Sequence, residues 1–370
     1  MKYFNLSDCA TYGGDRIRVS CLSKDNYIST ENMLPNRRGI CPATSLPNIH
    51  YVTRFVPGDI LLSNIRPYFK KIWLAQYNGG CSNDVLVIRA KNGIDPHFLY
   101  YVLSDTNFFN YATATANGTK MPRGSQSAIM KYLIPAFDTA TQEKIASILS
   151  AYDDAIENNN KRIEILEKMA ENLYREWFVR MRFPGHETAE YENGLPKGWS
   201  VHKVGEIVSR LPFNKLYKKS DLLPDGDVIV VDQSAEEYIG FHNNEPSHFS
   251  DINHPIIIFG DHSCKYQLMT QNFSLGENVV PFTGKNCNTI FLFYAIRGIV
   301  TTTEYKRHWG ELITKKILFP QIELQNKFAK MIVTCLQLER QLSSNNYNLT
   351  KQRNQLLPRL MSGKMEETCR

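Results

Sequence analysis

A histidine and a cysteine stand two residues apart in Gly260-Asp-His-Ser-Cys264, directly after the aliphatic run Pro255-Ile-Ile-Ile-Phe259. The pair could supply a base and a nucleophile. Such chemistry needs the base within hydrogen-bond reach and a third group to orient it, and side chains this close along a chain seldom face one another. The plainer reading is a turn with a buried thiol. Elsewhere there is no Gly-x-x-x-x-Gly-Lys-Ser/Thr phosphate loop, no Gly-x-Gly-x-x-Gly, no His-Glu-x-x-His and no Gly-x-Ser-x-Gly elbow. The Asn/Asp-Pro-Pro-Tyr/Phe stretch used by amino-methyltransferases is also missing. The eight cysteines (Cys9, Cys21, Cys41, Cys81, Cys264, Cys287, Cys335, Cys369) form no Cys-x-x-Cys pair and have no histidine at zinc spacing, so they read as reduced structural thiols. No catalytic residue, metal site or cofactor is expected.

Two other clusters suit binding. Gly118-Thr-Lys-Met-Pro-Arg-Gly-Ser125 and Tyr305-Lys-Arg-His-Trp309 each combine cations with a flexible or aromatic neighbour, a combination fit for phosphate contacts and groove insertion. With the nearby cations they define the candidate contact residues. In the first half these are Arg66, Lys70, Lys71, Lys120 and Arg123; in the second, Lys215, Lys218, Lys219, Lys306, Arg307 and His308. A set of solvated loops is the other reading of the same residues.

The charge narrows where to look. The net +6 of the 370 residues is uneven: residues 1–138 hold 15 basic and 9 acidic side chains, whereas residues 181–321 hold 14 and 16. The first region is cationic throughout, and the second must concentrate its cations locally. No apolar run approaches the roughly 18 residues of a membrane span, and the start lacks a signal-peptide pattern, so a cytoplasmic protein is expected.

Two long helices must position these clusters. From about Gln142 to Phe178, apolar residues at Leu149, Tyr152, Ile156, Ile163, Leu166, Ala170, Leu173 and Trp177 follow a heptad, with Asn159 as a polar member of the seam. From about Gln325 to Leu360 a second, less regular stripe runs through Phe328, Ala329, Ile332, Cys335, Leu338, Leu342, Leu349 and Leu356. The two stretches are related: Lys131-Tyr-Leu-Ile-Pro135 matches Lys316-Ile-Leu-Phe-Pro320, and Gln142-Glu-Lys-Ile-Ala146 matches Gln325-Asn-Lys-Phe-Ala329. The chain therefore reads as a tandem duplication. Short strands are expected at Asp59–Ser63, Asp84–Arg89, Asp227–Val231 and Pro255–Phe259. Phe98–Leu103 and Ile290–Ile296 are apolar throughout and fit a helix or a strand equally. The fold class is α/β (α+β), two globules each followed by a long helix.

This arrangement resembles the specificity subunits of type I restriction-modification systems. The likeness rests on Gln142–Leu149, Asp153-Asp-Ala-Ile-Glu157, Leu173-Tyr-Arg-Glu-Trp-Phe178, Leu195-Pro-Lys-Gly-Trp199 and Gln355-Leu-Leu-Pro-Arg-Leu-Met-Ser-Gly363. It implies a first target-recognition domain at 1–138, a long conserved helix at 139–182 and a linker at 183–194. A second recognition domain would then occupy 195–321, a second helix 322–361 and a tail 362–370. The resemblance further implies an antiparallel coiled coil with pseudo-two-fold symmetry. In function it implies a non-catalytic subunit that reads a gapped, asymmetric site on double-stranded DNA. Its partners would be two methyltransferase subunits and, through them, restriction subunits. The sequence departs from the family at its start, since Leu-Pro-x-Gly-Trp opens only the second unit, and in carrying Glu339, Gln352 and Arg353 near the second seam. The alternative is a coiled-coil scaffold or ligand-binding protein with no DNA role.

Overall fold

The structure, a computed structural model, describes residues 2–363 except Asn214, Thr303 and Tyr305; Tyr305 of the second basic cluster, Cys369 and most of the 362–370 tail lie outside the described residues. The chain forms two compact units. One runs from the N-terminus to Asn158 and resumes at Asn345; the other is Asn159–Ser344. The division falls inside both long helices rather than at the 183–194 linker, because each half-helix packs into a different core.

In the first unit, four antiparallel strands stand in the order Ala10–Tyr12, Val85–Ala90, Ile60–Ser63, Ile72–Leu74. A second sheet is ordered Arg16–Arg18, Tyr51–Phe55, Gly79–Cys81, Tyr27–Ile28, its last pairing parallel. A two-stranded ribbon joins Tyr3–Asn5 to Leu133–Pro135. The second unit repeats the four-stranded sheet and the ribbon. Its four-stranded sheet is ordered Val208–Arg210, Val279–Gly284, Ile256–Gly260, Tyr266–Met269. Its smaller sheet again ends in a parallel pair, Val228–Val231 with Phe273–Leu275, and its ribbon joins Ser200–Lys203 to Lys316–Phe319. The duplication read from the sequence is thus a duplication of strand order in the four-stranded sheet and the ribbon, while the smaller sheets differ, four strands in the first unit and three in the second.

Both ambiguous apolar runs are helices, Pro96–Ser104 and Thr289–Ile296. Their caps decide it: Asp95 Oδ1 accepts the Phe98 N–H at 2.7 Å, and Asn288 Oδ1 accepts the Ile290 N–H at 2.9 Å. The repeated glutamine also acquires a role. Gln142 is buried, accepts the Asp95 N–H at 2.9 Å and donates to the Phe137 carbonyl at 2.9 Å. Gln325, fully buried, does the same for Asn288 N–H (2.9 Å) and the Pro320 carbonyl (2.8 Å). Each glutamine thereby fastens the first turns of a long helix to the cap of its unit's apolar helix.

The first long helix is Thr139–Tyr174, followed by a π-helical turn at Arg175–Val179; the second is Ile322–Met361. Within the first unit the beginning of the first helix meets the end of the second: Leu149 shares a core with Leu357 and Leu360, and Arg353 is ion-paired with Asp153. Within the second unit, Ala170, Trp177 and Phe178 share a core with Phe328, Ala329 and Ile332. The second seam differs from the expected one. Leu338 is exposed, while Leu357 and Leu360 are buried, because the helix serves two cores whose inward faces a single heptad phase does not track.

Glu339 occupies a half-buried seam position. Burial, reinforced by the Glu167 carboxylate and opposed by the Arg297 guanidinium, pushes its carboxyl up to about 7; Arg297 is itself paired with Glu171 at 2.9 Å. A raised acid pKa means the neutral form suits the fold. Its contribution is full below the ordinary carboxylate value of about 4.3 and is lost as pH rises through about 7. Glu339→Gln should therefore raise the melting temperature by a few degrees at pH 8.5 and leave it nearly unchanged at pH 4. A difference of the same size at both pH values would contradict this account.

Candidate nucleic-acid interface

In the first unit the hairpin between Ile60–Ser63 and Ile72–Leu74 carries a one-turn 3-10 helix, Pro67–Phe69. Two neighbouring loops are bonded to it through the backbone. The Asn36 and Arg37 N–H groups donate to the Phe69 and Lys70 carbonyls at 2.8 and 2.9 Å, and the Arg66 and Gly124 N–H groups donate to the Pro122 and Asn64 carbonyls at 2.8 and 2.9 Å. Asn117 and Arg123 exchange both of their backbone bonds at 2.8 Å, which closes the third loop on itself. Gly124 sits close at this crossing: a Cβ there would lie 2.9 Å from Asn64 Oδ1 and 3.1 Å from Ile129 Cδ1, so one of these side chains would have to shift.

The result is one three-loop surface that brings Arg66, Lys70, Lys71, Lys120 and Arg123 together. Arg37 and Arg38, absent from the sequence-based candidates, join them; the signal for the pair was the turn-like Pro35-Asn-Arg-Arg-Gly39. Tyr68 and Phe69, with ring centroids 4.8 Å apart, are exposed beside the cations. The backbone is strained here: Asn36, Arg37, Arg66 and Lys70 all have positive φ, four of the nine such non-glycine residues among those described. Left-handed conformations of this kind persist only where the surroundings impose them, and they concentrate at functional loops. Not every cation is equally free. Lys71 Nζ donates to the Thr30 carbonyl at 2.6 Å and lies over the Phe69 ring, and Arg123 pairs with Asp84 at 3.1 Å. Burial and the neighbouring Arg37 guanidinium both lower the pKa of Lys70.

The second unit places its basic cluster at the same hairpin. The turn between Ile256–Gly260 and Tyr266–Met269 meets residues 306–309 through Asp261, whose carbonyl accepts the His308 N–H at 2.7 Å and whose carboxylate accepts the Trp309 N–H at 2.9 Å. Lys306 and Arg307 are exposed there. His308 is not: its side chain is completely buried, with Nε2 3.2 Å from the Glu304 carbonyl. As the structure stands, its ring presents no atom to a partner and holds the loop instead. Lys215, Lys218 and Lys219 lie on another element, the segment running past Phe273–Leu275, to whose Leu275 carbonyl the Tyr217 N–H donates at 2.9 Å. Lys215 Nζ sits 4.7 Å from the centroid of Tyr217, which stacks on His242 at 4.1 Å.

Two arrangements that resemble catalysis resolve as structural. His242 Nε2 is 2.8 Å from Ser274 Oγ, but Nδ1 accepts the Asn244 N–H, so in the neutral ring the proton sits on Nε2 and is donated to the serine. The ring cannot serve that hydroxyl as a base. In the Gly260–Cys264 cluster, Cys264 takes a left-handed conformation inside the hairpin turn and His262 Nδ1 lies 3.1 Å from the Lys306 carbonyl. Among the described residues no three or more His, Cys, Asp or Glu side chains gather at metal-binding distance, and no helix is long and apolar enough to cross a membrane. A cavity of about 870 Å³ opens in the second unit between Pro212, Phe249, Asn286 and Asn326, and no Lys or Arg lines it.

Known proteins share this plan. Residues 24–168 match the family model described as the type I restriction modification DNA specificity domain. A type I restriction enzyme MjaIX specificity subunit of Methanocaldococcus jannaschii is 30% identical over 179 residues, which are 46% of this chain and 41% of that protein. A putative MjaX specificity subunit of the same organism is 25% identical over 350 residues, covering 84% of this chain and 79% of the relative. The crystal structure of the type I restriction-modification S subunit from M. genitalium superposes with a TM-score of 0.56 at 18% identity, over 97% of this chain and 95% of that one. Over these stretches the chain is similar to type I restriction-modification specificity subunits. The family match covers nearly all of the three-loop surface and runs into the first long helix. The first relative is matched over about two-fifths of its length and the second over about four-fifths.

Proposed function

We propose that the chain is the non-catalytic, DNA-reading subunit of a type I restriction-modification complex. Each unit reads one half of a gapped, asymmetric site on double-stranded DNA. The long helices set the spacing and dock two methyltransferase subunits, through which restriction subunits join. The observation that carries this reading is the recurrence of an exposed basic loop, Lys120–Arg123 and Lys306–Arg307, beside the same hairpin of the same sheet in both units. Loops of that chemistry hold phosphates and present side chains to base edges. Because the two copies have diverged in sequence, two different half-sites are expected.

The test is to express the chain with its methyltransferase partner and map modified bases across a genome. Modification confined to one gapped, asymmetric sequence supports the reading; an ungapped site, or an active complex with no sequence preference, removes it. Steep weakening of DNA binding as salt rises separates this from a scaffold with no DNA role. The ruler role has its own test. A seven-residue insertion in each long helix keeps the heptad phase and adds about 10 Å, so the gap should lengthen by about three base pairs at about 3.4 Å each. An unchanged gap would show that the helices do not set it.

A further inference from the structure

Arg37 has its backbone in the three-loop surface, and its side chain turns inward to the end of the helix Pro96–Ser104. Its N–H is bonded to the Lys70 carbonyl, and its Nη1 donates at 2.6 Å to the carbonyl of Ser104, the last residue of the helix Pro96–Ser104. The C-terminal end of a helix carries partial negative charge, so a guanidinium is favoured there. Its Nε is buried with no hydrogen-bond partner among the described residues, so the group is held in place without being fully satisfied. From Ser104 the connections continue within the same unit. Tyr101, one turn earlier on that helix, donates its hydroxyl to Asp153 at 2.7 Å, and Asp153 is the carboxylate paired with Arg353 between the two long helices. Arg37, Tyr101, Ser104, Asp153 and Arg353 line one small pocket.

Resting on the function proposed above, we infer that Arg37 is a positioning residue for recognition: it touches no base or phosphate, and it fixes the three-loop surface to the helix that is bonded to the Asp153–Arg353 pair. Its positive φ and the neighbouring left-handed Asn36, Arg66 and Lys70 mean that the loops are not held by local preference. An inward anchor supplies the missing constraint. Loss of that anchor leaves the outward cations in place but allows the base-reading groups to drift from register.

The test uses the chain co-purified with its methyltransferase partner and a pool of double-stranded oligonucleotides with a randomised centre, with the bound fraction sequenced at several salt concentrations. Arg37→Met, which keeps the length of the side chain, should lower discrimination at the half-site read by the first unit by about tenfold, the scale of one mismatched base pair. The other half-site is an internal control and should keep its discrimination. The salt slope should be unchanged, because no phosphate contact is removed. Arg37→Lys, which keeps one donor for the Ser104 carbonyl, should lose about threefold by the same measure, and it takes the place of the methionine variant if that chain does not fold. Native discrimination in either folded variant, or an equal loss at both half-sites, overturns the inference. If the unsubstituted complex enriches no gapped site at all, it is the proposed function that fails.

Discussion

Gln325→Leu should destabilise the second unit, and Gln142→Leu the first, each by on the order of 2–4 kcal/mol, because each substitution orphans two backbone groups at about 1–3 kcal/mol apiece. The orphaned groups are the Asn288 N–H and Pro320 carbonyl in one case and the Asp95 N–H and Phe137 carbonyl in the other. Leucine fits the apolar surroundings and recovers part of the loss, which keeps the figure below the full sum. Hydrogen exchange read separately on peptides from the two units is the appropriate measurement, because a chain with two compact units need not unfold in one step. Each variant should lose protection in its own unit only. A loss under about 1 kcal/mol would show that other groups can satisfy these backbone atoms.

Replacing Arg66, Lys120 and Arg123 together by glutamine should weaken DNA binding by roughly 100-fold at moderate salt and flatten the salt dependence by nearly three units, about 0.9 for each phosphate no longer neutralised. The fold should tolerate the change at Lys120 and Arg123, and the half-buried Arg66 calls for a folding check by circular dichroism on the triple variant. Lys120 and Arg123 are exposed, and the one ion pair removed, Arg123 with Asp84, is itself open to solvent and worth little. The contrasting variant is His308→Gln, whose buried ring faces the Glu304 carbonyl. It should cost stability and leave the salt slope alone. Should the triple variant keep the native slope, phosphate contacts would have to be sought elsewhere, with Arg16 and Arg18 beside the exposed Tyr51 as the next group to replace.

The duplication was legible because its markers are fixed by burial. Gln142 and Gln325 each do a job that no other residue type does as well, and the stretches ending at Pro135 and Pro320 repeat at nearly the same offset. The secondary structure of Phe98–Leu103 and Ile290–Ile296 could not be read from periodicity, since a wholly buried segment has no polar face. The capping residues Asp95 and Asn288 held the answer. Within the basic clusters, residue type told nothing about direction. Arg37 turns inward to Ser104, 67 residues away, and the backbone of His308 is fixed by Asp261, 47 residues before it. Contacts at such separations exist only once the chain has folded. The seam of the second long helix misled for a similar reason: Leu338 satisfies the heptad but is exposed, while Leu357 and Leu360 are claimed by a core built largely from the first 149 residues.

That last feature sets an order of assembly during translation. The second unit is one uninterrupted stretch, 159–344, and can close as soon as it has left the ribosome. The first unit begins earlier but cannot be completed until the segment bearing Arg353, Leu357 and Leu360 arrives. At roughly 5–20 residues per second, the interval is on the order of 10–40 s. For that time the nascent first unit lacks Leu357 and Leu360, which share a core with Leu149, so this half of the molecule is expected to be more prone to aggregation during synthesis than in the finished protein.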